Sequence, residues 1–228
     1  MKIKFGAFVV EGRGKSNGHV FSKNRGGAVI RTKVTPSNAQ SVAQSNVRNR
    51  FTGLAQGWRG LTQAQRNAWN SAVASFSRTD IFGDLRNPSG ANLYQRLNNN
   101  LLAIGETALT VPPLPSEVQA VVASAVSAAV GTPAMSQTFA PAIDADTKCQ
   151  VFGTAPVSAG KSFVKSEFRL LGTLSTSDTS PKNILSLYTA KFGNTGAIGQ
   201  KIFIKLLPVN LNTGQTGSAS VVSVITTA

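Results

Sequence analysis

Apolar positions along this chain change period twice. Residues 1–34 alternate: KIKFGAFVV, GHVFSK and GGAVIRTKV each turn side chains to two faces, and the basic, turn-rich stretches EGRGKSNG and NRGG separate them. The pattern predicts strands, gathered as a small sheet, an extended basic arm or a solvated hairpin. From residue 35 the spacing becomes helical. TPSNAQ offers Thr35 as an N-cap with Pro36 at the first helical position. Val47, Phe51, Leu54 and Trp58 follow at spacings of four, three and four, on one face. Gly57 and Gly60 predict a break around Trp58. A second helix restarts at LTQAQ, where Thr62 and Gln65 stand at capping-box spacing and Trp69, Val73 and Phe76 form the apolar stripe. Asn87-Pro88 announces a third helix, which carries Leu93, Leu97, Leu101 and Ile104 and stops at Gly105. Three such helices bury both tryptophans in a common core.

GETALTVPPLPSE then interrupts every period, because its prolines resist helix and sheet alike. Beyond it TKCQVFG, EFRLLGTL, KIFIKLLPV and SVVSVITT are strand-like, with turn signals such as SDTSPKN, GNTGAIG and NTGQTG between several of them. VQAVVASAV and SQTFAP raise the expectation to six or seven strands, which suits a sandwich. PKNILSLYTA reads equally as strand or short helix. The expected fold is α+β: a basic β arm or small sheet over 1–34, a three-helix region over 35–105, a Pro-rich linker over 106–117, and an immunoglobulin- or fibronectin-like all-β sandwich over 118–228.

Charge sharpens this division. The first 105 residues carry 15 Lys or Arg against three acids (Glu11, Asp80 and Asp84), whereas residues 106–228 carry eight against six, so +12 of the net +14 lies in the first part. With 41% apolar and 14% charged residues, the chain has the composition of a folded protein rather than a disordered one. The lone Cys149 leaves no internal disulfide and no multi-cysteine metal site, and fits a reducing compartment. The apolar part of MKIKFGAFVVEGRG is too short and broken for a signal peptide, and no run has the length of a membrane span.

Candidate chemistry is sparse. APVSAGKS, residues 155–162, satisfies a loose phosphate-loop pattern. Such a loop works by aiming backbone amides at phosphates between a buried parallel strand and a helix. Here Pro156 removes an amide, Gly160 is the only glycine inside the match, and no strand ends in a magnesium-holding acid. A turn between strands is the expectation. His19, the one histidine, sits among basic residues in a strand pattern, and nine acids leave little material for a carboxylate pair. Asp144 and Asp146 lack the further ligands of a calcium loop and read as a polar turn. The expectation is no enzyme, no cofactor and no metal.

What asks for a partner is the basic half. Arg25, Arg31, Lys33, Arg48, Arg50, Arg59 and Arg66 have no acid among them and are the candidate interface. Such a field attracts phosphate backbones and acidic protein surfaces alike, although no nucleic-acid-binding motif is present. The stretch GGAVIRTKVTPSNAQSVAQSNVRNRFTGLAQGWRGLTQAQRNAWNSAV, with GANLYQRLNNNL after it, resembles a segment of structural proteins of tailed bacteriophages and of proteins of Bacteroidota-linked mobile elements, and more closely a head protein of crAss-like phages. Thr35-Pro36, Gln44, Arg48, Trp58, Leu61, Thr62, Arg66 and Trp69 carry that resemblance, over about residues 26–104. It implies a non-enzymatic virion component, made in the host bacterial cytoplasm: an auxiliary or decoration protein that binds the major capsid protein or other virion subunits through its basic half. A tail or connector component, or a nucleic-acid-binding protein packaged with the genome, are the alternatives. No membrane partner is expected, and the assembly would be multi-subunit.

Overall fold

The structure is a computed structural model that describes residues 2–4, 6, 11–24, 26–36, 38 and 40–228. Among these residues, four α-helices combine with antiparallel sheets, and the chain is mostly β.

The alternating amino-terminal pattern forms β1 (Lys2–Ile3), β2 (Gly14–Ser16), β3 (His19–Asn24) and β4 (Gly27–Thr32), ordered β1-β4-β3-β2. Residues 5 and 7–10, expected within the first strand, lie outside the described residues. A two-residue turn, with Asn17 at φ 48°, joins β2 to β3. None of the described residues of these strands is buried, so the sheet has no core of its own.

The three expected helices are present as α1 (Val42–Gly60), α2 (Gln63–Ala72) with a 3-10 turn after it, and α3 (Gly90–Ala103). Two expectations about α1 fail. Its N-cap is Ser41, whose hydroxyl accepts the Gln44 N–H at 3.3 Å, and Thr35-Pro36 precedes the helix as exposed chain. Gln40, at φ 46°, takes the left-handed conformation and blocks any helical path arriving from Pro36. Nor does the helix break at Trp58. Gly57 instead admits a neighbour, since a Cβ there would lie 2.8 Å from the Tyr94 hydroxyl of α3. The capping box of α2 is complete: Gln65 N donates to Thr62 Oγ1 at 3.3 Å, and Thr62 N to Gln65 Oε1 at 2.9 Å. Helix α3 ends in a Schellman cap, with Glu106 N on the Leu101 carbonyl at 2.9 Å and Gly105 N on that of Leu102 at 3.4 Å.

The helical core gathers Leu54, Leu61, Trp69, Val73, Phe76, Leu93, Tyr94 and Leu97. Tyr94 sits between the tryptophans, 5.6 Å from the Trp58 ring and 5.4 Å edge-on to that of Trp69. A hairpin of β5 (Arg78–Thr79) and β6 (Leu85–Arg86) joins the 3-10 turn to α3.

The carboxyl-terminal strands are β7 (Val122–Ala129), β8 (Ala134–Ala140), β9 (Thr147–Gly153), β10 (Arg169–Leu174), β11 (Lys182–Asn183), β12 (Lys201–Asn210) and β13 (Ser220–Ile225). They form two antiparallel sheets, β11-β8-β7 and β10-β9-β12-β13. Met135 and Phe139 from one sheet and Cys149, Val151, Ile202, Ile204 and Leu206 from the other share a core. A parallel bridge between Ala129 and Thr227 links the sheets at one edge. The ambiguous PKNILSLYTA resolves into β11 and then α4 (Leu185–Phe192), whose Tyr188 is fully buried and donates to the Thr154 carbonyl at 2.8 Å.

Residues 106–117 are extended but held along their length. Buried Asn98 of α3 clamps Leu109 twice, donating to its carbonyl at 3.1 Å and accepting its N–H at 2.6 Å. Trp69 Nε1 donates to the Thr110 carbonyl at 3.0 Å. On the sandwich side, Glu106 pairs with Lys148 at 2.6 Å, and Ser116 N donates to Gln215 Oε1 at 2.8 Å. A small apolar cluster of Leu101, Ile104 and Val209, with Leu109 and Leu211 against it, seals the junction. Gly214 completes the contact: a Cβ there would collide with the Leu97 carbonyl, and its own carbonyl accepts from Asn100 Nδ2 at 2.8 Å.

Candidate interaction surface

All three acids of the first 105 residues are engaged locally. Glu11 pairs with Arg13 at 2.8 Å and with Lys23 at 3.5 Å. Asp84 pairs with Lys4 at 3.0 Å and Arg86 at 3.5 Å. Asp80, at the turn of the β5–β6 hairpin, holds Lys2 at 3.4 Å and Arg86 at 3.3 Å, and accepts the N–H groups of Phe82 and Asp84. Desolvation raises the Asp80 pKa, but those two N–H groups, with Arg86 and Lys2, outweigh it and bring the pKa down to about 2. Lys4 also lies over the Phe82 ring at 5.1 Å. These contacts fasten the thin amino-terminal sheet to the hairpin.

The remaining cations are left without acids. Among the described residues, Arg31, Lys33, Arg48, Arg50, Arg59 and Arg66 form no salt bridge; Arg25 lies outside the described residues. Arg31 and Lys33 are exposed, on β4 and just beyond it. Arg48 and Arg59 share one exposed face of α1, about 16 Å apart along its axis by helical rise. Arg66 of α2 donates to the Arg59 carbonyl at 3.4 Å, which joins these two helices at their turn. Arg50 is half-buried, rotated toward the core side of α1. The six therefore form a helical group and a sheet group, and no hydrogen bond or ion pair among the described residues connects the two.

Sequence reasoning missed the apolar part of this surface. Val47 and Phe51 belong to the α1 stripe expected to be core, yet they are 51% and 53% exposed, and Val42 is 77% exposed. Val47 and Phe51 are uncovered for different reasons: near Val47 only α1 itself lines the surface, whereas Phe51 lies beside polar residues of α3 that do not close over it. Phe51 borders a shallow concavity shared with Asn92, Gln95 and Asn99 of α3, and Val47 borders another with Ala43 and Gln44. The apolar period of α1 gives no sign of this exposure.

The other candidates take structural positions. Residues 155–162 lie in the connection from β9 to β10. Val157 exchanges backbone hydrogen bonds with Lys201, Lys161 pairs with Glu167, and no helix follows before β10. His19 is exposed in β3, opposite Ser16 and Thr32. Asp144 Oδ1 accepts the Asp146 N–H at 3.1 Å, a polar turn leading into β9. Cys149 is buried, and burial, with the charge of Asp144 adding to it, pushes its thiol up to about 12. Among the described residues, no group of three or more His, Cys, Asp or Glu could hold a metal, and no helix is long and apolar enough to cross a membrane.

Comparison with known proteins adds no identity to this geometry: no protein-family model, no curated protein and no solved structure matches the chain.

Proposed function

We propose that this protein is a non-enzymatic structural component of a virion, an auxiliary or decoration protein that docks on the capsid lattice through its basic amino-terminal half. The observation that carries the reading is the α1 surface. There acid-free cations, Arg48 and Arg59, run along the helix beside the uncovered apolar side chains Val47 and Phe51. Apolar side chains with cations beside them are what a protein interface uses, and a phosphate backbone has no use for the apolar part. Acidic subunits of a lattice complement the cations. The resemblance of residues 26–104 to phage structural proteins points the same way.

The carboxyl-terminal half is read as a fibronectin-type sandwich. Lettered in chain order, its sheets are A-B-E and C′-C-F-G, with α4 inserted between E and F, and this order supports the reading. Such a module would project from the docked base or cover a joint between subunits.

Copy number in purified particles, measured by quantitative mass spectrometry against the major capsid protein, tests the proposal. A number that scales with the capsid protein supports a lattice position; one that matches a tail or connector ring selects that alternative. Absence from particles refutes the virion reading. In that case the unpaired cations favour the nucleic-acid-binding alternative, which duplex-DNA binding falling steeply with salt would support.

A further inference from the structure

Arg78, at the start of β5, and Arg96, in the middle of α3, line one cleft where the helices meet the loop after β12. The cleft has a volume of about 170 Å³, and Ser75, Ser77, Asn100 and Thr216 also line it. Both arginines continue into a wider neighbouring cleft of about 440 Å³, which Lys2 and Arg86 line as well. No Asp or Glu lines either cleft.

The arrangement is costly as it stands. Among the described residues neither guanidinium has an ion pair or a hydrogen bond. Arg96 Nε is shut off from solvent without an acceptor, and the nearest compensation is the Phe76 ring at 6.0 Å. A buried donor left unmade and two like charges brought together both raise the energy of the unliganded protein. Burial, and then the charge of Arg78, lower the pKa of Arg96, the same conflict expressed in its protonation. Structural arginines are ordinarily relieved by a carboxylate, and the acids of the β5–β6 hairpin, Asp80 and Asp84, are engaged with Lys2, Lys4 and Arg86.

We propose that Arg78 and Arg96 form a binding site for a phosphate group. Guanidinium forks match phosphate oxygens in pairs. Ser75, Ser77 and Thr216 also line the cleft and carry hydroxyls that can donate, and those of Ser75 and Ser77 have no partner among the described residues. Two guanidinium forks together with several hydroxyls suit a tetrahedral anion with three or four oxygens, whereas a carboxylate presents two oxygens in one plane. The volume accommodates one phosphate with bridging water. The phosphate is either inorganic or part of a nucleic-acid backbone reaching in from the open side. The site stands independently of the virion reading, since it rests on other residues.

The test uses the full chain. Thermal unfolding is followed in sodium phosphate, sodium acetate and sodium chloride at matched pH and ionic strength, and in a short single-stranded oligonucleotide, with calorimetric titration for stoichiometry. The variants are R96Q, R78Q at an exposed position that leaves the fold intact, and R59Q as a control cation outside the cleft. The expected result is one phosphate per chain, with Kd raised about tenfold or more in R78Q and R96Q and unchanged in R59Q. Stabilisation by the oligonucleotide alone, lost in the same two variants, assigns the chemistry to a nucleic-acid backbone. Equal stabilisation by acetate or chloride, or binding that survives R78Q or falls equally in R59Q, overturns the proposal.

Discussion

Replacing Asn98 by alanine cuts the fastening of residues 106–117 at its most buried point. The side chain is fully buried and serves both backbone groups of Leu109, so the substitution strands one N–H and one carbonyl away from water. Each buried group left unpaired costs about 1–3 kcal/mol, which makes roughly 2–6 kcal/mol for the pair. For a chain of this length that lowers the thermal midpoint by roughly 4–24 °C, a large part of the stability of an ordinary domain. Chemical denaturation read by tryptophan fluorescence suits the measurement, because Trp69 is itself tied to Thr110. Hydrogen exchange at Leu109 gives a local readout, since its N–H loses its acceptor. N98D separates the two bonds: the acceptor survives, the donor to the Leu109 carbonyl is lost, and a charge is buried, so the destabilisation is no smaller than in N98A. A loss below about 0.5 kcal/mol in N98A, the range of an ordinary surface substitution, would refute the clamp and return residues 106–117 to the status of a loose tether.

Three other outcomes are expected. The Asp80 pKa is depressed to about 2, so its contribution to stability is complete above the ordinary Asp range near pH 4 and disappears as pH falls through about 2. Acid-unfolding curves of wild type and D80N should therefore converge at the low end of that window. Because Val47 and Phe51 are about half exposed, V47S and F51S should change stability by no more than about 0.5–1 kcal/mol while sharply weakening attachment to particles that lack the protein. Cosedimentation at fixed salt checks this, and attachment unchanged in both variants would count against the α1 surface. Cys149, fully buried with its thiol pushed up to about 12, should resist a thiol reagent in the native protein and react once denaturant unfolds it.

Local chemistry made much of the helical region readable. Thr62 with Gln65, the Trp69–Val73–Phe76 stripe and the Gly105 stop each depend on groups within a few residues, and each stands as expected. The start of α1 was misread because Thr35 and Ser41 are both competent caps, and the decision fell to the left-handed Gln40 between them. Val47 and Phe51 have the right period for a core, but burial depends on what, if anything, a neighbouring helix sets over them, and periodicity carries no such information. Prolines state what residues 106–117 cannot form; that Asn98 would seize Leu109 is a tertiary fact. PKNILSLYTA stayed ambiguous because so short an apolar run satisfies either period. Arg78 and Arg96 escaped notice for a related reason: 18 positions and a hairpin separate them, and only folding brings them to one cleft.

A segment with three prolines suggests a swivel, but one riveted at Glu106, Leu109, Thr110 and Ser116 behaves as a strut. Torque applied to the sandwich is then delivered to the helices instead of being dissipated in between. The sandwich therefore stands at a fixed angle to the helices, so an averaged image of the protein should resolve its far end about as sharply as the helices.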